Sequence, residues 1–144
     1  MSMKGDRGFT LIELLITVAI IGILAAIAVT GYIGSIKSAA RSEAYTNLQN
    51  LRLLEEQVFA DTGNYALIGA LTRWQPGTAT SFTYAVTIAN GVRLPNTPTV
   101  PYDGTTAALL PNTTPCFIAT ATGNANTRVV GDVFAIDCNN NRNF

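Results

Sequence analysis

The chain has 144 residues, of which 48 % are hydrophobic and 12 % are charged, and nine Lys and Arg balance nine Asp and Glu. Seven residues of each sign follow Ile36, so this part of the chain has no net charge that would attract nucleic acid or an anionic surface. Histidine is absent, which removes the commonest general base and the commonest metal ligand, and the sequence predicts neither an enzyme, nor a metal site, nor a cofactor.

Residues 1–8 form a short polar segment that contains Lys4, Asp6 and Arg7. An ordinary secretory signal places its apolar region before the cleavage site, whereas here the apolar region follows the polar segment. The positive charges predict that residues 1–8 stay in the cytoplasm.

Residues 9–36 form an apolar stretch of 28 residues whose one charged side chain is Glu13. About 20 apolar helical residues are enough to cross a bilayer, so this stretch is predicted to be a membrane-spanning helix. Glu13 lies near the predicted amino terminus of that helix, where the backbone dipole lowers the cost of an anion in lipid.

The sequence GFTLIELL, which runs from Gly8 through Phe9 and Glu13, resembles the processing motif of type IV pilins and the related pseudopilins. The resemblance implies that a membrane-embedded peptidase cuts between Gly8 and Phe9, removes the leader (residues 1–8) and methylates the Phe9 amine. It also implies that Glu13 pairs with the amino terminus of a neighbouring subunit during assembly. The residues alone leave open an uncleaved signal anchor with Glu13 as a surface glutamate.

Small side chains recur every four positions along the apolar helix, at Gly22, Ala26, Thr30 and Gly34. This spacing places them on one stripe, where other helices can approach closely. The alternative is that Gly and Ala are simply frequent in membrane helices. Many type IV pilins have proline at the position of Thr30, so any bend in this helix is expected to come from glycine.

Residues 37–61 are predicted to continue the same helix with one apolar face. The apolar side chains keep steps of three and four residues at Ile33, Ile36, Ala40, Ala44, Leu48, Leu51, Leu54 and Val58. Charged residues, Glu55 among them, are assigned to the other faces. The helix is predicted to end at residues 61–64, with Gly63 or Asn64 as a left-handed cap.

Residues 62–144 are predicted to form a head domain of short strands. Residues 81–88 have the aromatic and β-branched composition of a strand, and Asn90-Gly91 predicts a tight hairpin to residues 92–94.

Two further strands are predicted at residues 117–122 and 133–137. Residues 95–115, which lie between residues 92–94 and the strand at residues 117–122, are proline-rich and are expected to be an irregular loop. The fold class is therefore α+β, a long helix packed on a three- or four-stranded antiparallel sheet, and this arrangement resembles the pilin fold.

The two cysteines, Cys116 and Cys138, bracket the last predicted pair of strands. Many pilins have a carboxy-terminal disulfide loop, so the resemblance implies a disulfide here, formed in the oxidising periplasm. From the residues alone, a pair of buried thiols is the alternative.

The function predicted from the resemblance is that of a structural subunit of a type IV pilus. Its expected partners are copies of itself, the prepilin peptidase and methylase, and inner-membrane assembly machinery with separate ATPases, because the chain has no phosphate-binding loop. The precursor would lie in the inner membrane with a periplasmic head and later join a cell-surface filament. The alternatives are a pseudopilin of a secretion or DNA-uptake system and a membrane-tethered binding module or enzyme.

Overall fold

The computed structural model describes residues 8–77, 81–88, 90–95, 98–108 and 114–144. Its elements in chain order are α1 (Leu11–Thr62), a 3-10 turn (Ile68–Ala70), β1 (Phe82–Ile88), β2 (Val92–Arg93), β3 (Ala107–Ala108), β4 (Phe117–Gly123) and β5 (Val133–Asp137). The chain divides into two compact units after Ile36. The predicted leader lies outside the described residues, apart from Gly8.

Helix α1 has 52 residues and ends as the sequence predicts. Gly63 follows its last residue with φ +74°, in the left-handed region that favours glycine. The Gly63 N–H donates to the Phe59 carbonyl at 2.8 Å, which satisfies one of the orphan carbonyls of the last turn. The left-handed cap predicted at Gly63 or Asn64 is therefore confirmed at Gly63.

The first unit contains the apolar part of α1. Its most apolar 18-residue window has a mean hydropathy of 2.7, and none of that window is buried within the chain. Length and composition therefore make this helix able to cross a membrane.

The second unit is built around a three-stranded antiparallel sheet with the order β1-β4-β5. In its register Ala85 of β1 faces Thr120 of β4, and Thr120 faces Ala135 of β5. Phe82, Tyr84 and Val86 of β1 alternate toward the core, which is the period of a sheet with one covered face. The predicted α+β fold with a small antiparallel sheet is confirmed.

The prediction of a hairpin at Asn90-Gly91 was wrong. Strand β1 pairs with β4, and β2 pairs instead with β3 in a separate two-stranded sheet, so part of the expected irregular loop is a strand. The Gly91 N–H donates to the Thr114 carbonyl at 2.9 Å. Leu94, just after β2, is fully buried against Ile118 and Ala135, so the chain leaves β1 to cover the other face of the sheet.

The main core lies between α1 and the inner face of the sheet. From α1 it takes the fully buried Ala44, Leu48 and Leu51, which belong to the predicted apolar stripe. The sheet contributes aromatic and aliphatic side chains, among them Phe82, Phe117, Phe134 and Ile136. Burial of these large side chains supplies most of the free energy that holds the helix on the sheet.

Candidate assembly segment and the contacts that hold the head

The start of α1 is fixed by Thr10. The Thr10 side-chain oxygen accepts a hydrogen bond from the Glu13 N–H at 3.3 Å, and the Thr10 carbonyl accepts one from the Leu14 N–H at 3.2 Å. The sequence Thr-x-x-Glu is the pattern of a capping box, a signal that the motif-based prediction did not use. It places Glu13 in the first turn, where the helix dipole favours an anion.

Phe9 and Glu13 are both exposed, and Phe9 has 83 % of its surface accessible. Residues 8–36 contain no Lys or Arg, so they offer Glu13 no cationic side chain. A carboxylate in an apolar setting needs a partner, and cleavage after Gly8 would create a cationic amine at Phe9 of every subunit. The arrangement therefore leaves Glu13 available to an amine from another chain.

The stripe of small side chains is open. A Cβ added to Gly22 or Gly34 would meet no atom within 4 Å, and Ala26 is exposed. The Thr30 hydroxyl donates to the Ile27 carbonyl at 2.9 Å, so this polar group is satisfied inside its own helix. That these residues pack against other helices stays a prediction.

The disulfide that the resemblance implies is present. Cys116 and Cys138 are joined with an S–S distance of 2.04 Å, and Cys116 is fully buried. The bond links the start of β4 to the residue that follows β5, so it closes the last pair of strands into a covalent loop.

A family model described as the prokaryotic N-terminal methylation motif matches residues 3–29. The chain carries the amino-terminal methylation motif of type IV prepilins. The resemblance of residues 8–15 to the prepilin processing motif is thereby confirmed.

The chain is similar to the type IV major pilin protein PilA of Myxococcus xanthus (strain DK1622), with 41 % identity over 86 residues, which are 60 % of this chain and 39 % of the relative. It is 54 % identical over 50 residues to a fimbrial protein of Moraxella nonliquefaciens, covering 35 % of this chain and 32 % of the relative. A fimbrial protein of Pseudomonas aeruginosa is 73 % identical over 30 residues, covering 21 % and 20 %. The matches thus span well under half of these relatives. No solved structure matches the chain.

The carboxy-terminal loop of the chain is organised by Asp137, which is fully buried. Its two carboxylate oxygens accept backbone N–H bonds from Leu94, Asn139 and Asn141 at 2.8–2.9 Å, and a fourth bond from the Asn141 side chain at 2.9 Å. Several donors compensate for burying the carboxylate. Within the described residues, no three His, Cys, Asp or Glu side chains are placed to hold a metal ion.

A second carboxylate ties the head to α1. Asp132 accepts two hydrogen bonds of 2.8 Å from the Arg41 guanidinium, and Lys37 lies 3.9 Å away. The bonds from Arg41 lower the pKa of Asp132 below its ordinary value, so this pair stabilises the head at neutral pH and its contribution is lost as the pH falls through that lowered pKa. The pairing joins residues 91 positions apart, and no local sequence signal marks it.

Glu55 is fully buried. The prediction that placed it on a solvent-facing side of the helix was therefore wrong. One of its oxygens accepts the Ala66 N–H at 3.0 Å, and the other has no hydrogen-bond partner among the described residues. Burial raises the pKa of Glu55, the nearby Glu56 raises it further, and the bond from Ala66 opposes both. The charged form of Glu55 therefore destabilises the folded head.

Glu55→Gln is expected to stabilise the head at neutral pH by about 1 kcal/mol, which raises the unfolding midpoint by about 4 °C. Glutamine keeps the size and the acceptor for the Ala66 N–H but removes the buried charge. The wild-type head should lose stability as the pH rises from the ordinary glutamate pKa to the raised one, because the unfolded chain ionises first. Thermal unfolding at several pH values, with Glu43→Gln as the control, checks both effects; equal midpoints for wild type and Glu55→Gln at neutral pH would refute them.

Proposed function

We propose that the chain is the precursor of a structural subunit of a type IV pilus, which polymerises through the apolar part of α1. The observation that carries the proposal is the exposed apolar surface from Leu11 to Ile33, interrupted by one carboxylate at Glu13. Such a surface needs an apolar environment, first lipid and then the helices of other copies. The methylation motif and the pilin and fimbrial relatives support the same function.

Processing comes first in this proposal. A prepilin peptidase cuts between Gly8 and Phe9, and the new Phe9 amine is methylated. The amine of an incoming subunit then pairs with Glu13 of a subunit already in place. Separate ATPases of inner-membrane machinery move the subunit from the membrane, where its head faces the periplasm, into a filament outside the cell.

The mature subunit is expected to begin with N-methyl-Phe9, and Gly8→Val is expected to reduce cleavage at least about a hundredfold, an effect of roughly 3 kcal/mol. A β-branched side chain at Gly8 would obstruct a peptidase site that accepts glycine. Mass spectrometry of the membrane and sheared fractions measures the terminus. Gly5→Val, within the same leader, is the matched control and should be cleaved normally.

Two results would contradict the processing step. One is an assembled protein that still begins at Met1. The other is equal cleavage of Gly8→Val and Gly5→Val, which would place the cut elsewhere.

A pilin is favoured over a pseudopilin, because the relatives reported above are named as pilin or fimbrial proteins. Electron microscopy of sheared surface material separates the two. Long filaments that contain this subunit support the pilin, and short structures confined to the periplasm support the pseudopilin.

A further inference from the structure

A groove runs along the second half of α1, beside the segment of residues 70–75. It consists of two adjoining hollows of 240 and 320 Å³, which share Leu54 and Arg73 in their walls. The hollows lie side by side on one surface of the head, and their volumes fall just below and just above about 300 Å³, the lower size limit of small-molecule sites. Neither the methylation motif nor the proposed filament contact at Glu13 involves this groove.

The wall opposite α1 is held in place by short hydrogen-bonded turns. The Leu71 N–H donates to the Ile68 carbonyl at 3.2 Å, and the Trp74 N–H donates to the Leu71 carbonyl at 2.9 Å. The Trp74 ring meets the ring of the buried Tyr84 edge to face, with centroids 5.4 Å apart. Asn47 fixes Tyr84 in turn by donating to its hydroxyl at 2.9 Å. The indole is therefore positioned before any ligand binds.

The polar side chains that line the groove share one property: they make no hydrogen bond or ion pair with any other described residue. They are Asn50, Gln57, Asp61, Thr72, Arg73 and Gln75. The amides of Asn141 and Asn143, in contrast, each bind backbone carbonyls of the head. Carboxamides can donate and accept at once, so the groove concentrates unused hydrogen-bonding capacity of both kinds.

The charges of the groove cancel, because Asp61 is matched by Arg73. A strongly charged ligand therefore gains little there, and a neutral polar ligand fits best. The floor is apolar, formed by Leu54, Val58 and the buried Leu71. A ligand with hydroxyl groups at its rim and C–H groups on its face matches both the rim and the floor.

We propose that this groove binds a neutral saccharide of about two sugar rings, one in each hollow. Sugar hydroxyls both donate and accept, as the carboxamides of Asn50, Gln57 and Gln75 do, and the C–H face of a ring packs against the indole of Trp74. A second copy of the chain is the less suitable occupant, because a stable protein interface needs about 800 Å² from each partner.

Trp74 is the only tryptophan in the chain, so its fluorescence reports on the groove alone. The full chain is dispersed in dodecylphosphocholine micelles, a detergent without a sugar headgroup, and titrated with lactose, maltose, cellobiose or N,N′-diacetylchitobiose. At least one of these probes is expected to give a saturable change in fluorescence with a Kd of about 1 mM. No filament is needed, so this result is independent of the proposed assembly.

Gln57→Ala is expected to weaken that binding about tenfold, because it removes one hydrogen-bonding side chain from the lining. Gln57 is exposed and has no hydrogen-bond partner among the described residues, so the head is expected to stay folded in this variant. Gln49→Ala is the matched control on the same helix and should change the Kd less than about twofold. No saturable response to any of the four sugars up to about 20 mM, or equal weakening by both variants, overturns the proposal. If, instead, the Trp74 fluorescence changes on filament assembly and never with sugar, the groove is a contact between copies.

Discussion

Replacing Glu13 with glutamine is expected to leave the subunit cleaved after Gly8 but unable to form filaments. Glutamine removes the charge from the first turn of α1 while it keeps the side-chain size, so insertion into the membrane becomes no harder. It also removes the anion that would pair with the Phe9 amine in a low-dielectric setting, where an unpaired charge costs several kcal/mol. The number of filaments per cell should therefore fall at least about a hundredfold.

Immunoblots of the membrane fraction and counts of filaments by electron microscopy measure the two effects separately. Glu43→Gln, on the same helix but beyond the apolar part, is the control and should assemble normally. Glu13→Asp keeps the charge on a side chain one methylene shorter and should retain partial assembly. Normal filament numbers for Glu13→Gln at wild-type subunit levels would mean that Glu13 is not the assembly contact.

Gly123→Ala is expected to destabilise the head by at least about 3 kcal/mol, because the added methyl has no room. Gly123 ends β4, and an added Cβ would overlap the Val129 carbonyl oxygen and come within 2.7 Å of its carbon. Both are backbone atoms, so relief requires a shift of residues 124–132. This shift would disturb the bond from the Gly123 N–H to the Asp132 carbonyl, and with it the ion pair to Arg41.

Thermal unfolding in micelles should show a midpoint lowered by more than about 10 °C in Gly123→Ala. Gly69→Ala is the control, because a Cβ at Gly69 would meet no atom within 4 Å. Its midpoint should stay within about 2 °C of wild type. A similar small effect in both variants would show that the turn after β4 can move freely.

The features predicted correctly from the sequence are those that local patterns encode. The length of the apolar run predicted a helix long enough to cross a membrane. The cap at Gly63 was predictable because glycine adopts the left-handed backbone conformation without strain. The composition of β1, β4 and β5 identified them as strands. The motif at residues 8–15 was recognised because its spacing is short and specific. The roles of Gly8, Phe9 and Glu13 within it stay predictions.

The missed features depend on partners that are distant in the chain. Asn90-Gly91 has the composition of a tight turn, but the pairing of β2 is decided by the burial of Leu94 and by the bond from its N–H to Asp137, 43 residues away. Glu55 was misplaced for another reason. It continues the three- and four-residue steps of Ala44, Leu48 and Leu51, so its phase predicts burial, and its charge was given more weight than its position.

The uncovered apolar surface of the first unit also bears on the energetics by which the proposed filament would grow. In a bilayer these side chains would be surrounded by acyl chains, and in a filament by neighbouring helices of the same composition. Water is excluded in both places, so the hydrophobic effect favours neither by much. If the chain polymerises as proposed, adding a subunit would then be an exchange between two nonaqueous environments that lies close to balance. Modest inputs, such as one charge pair or the work of a motor, would set its direction, and a subunit would be able to leave the polymer by the route through which it came.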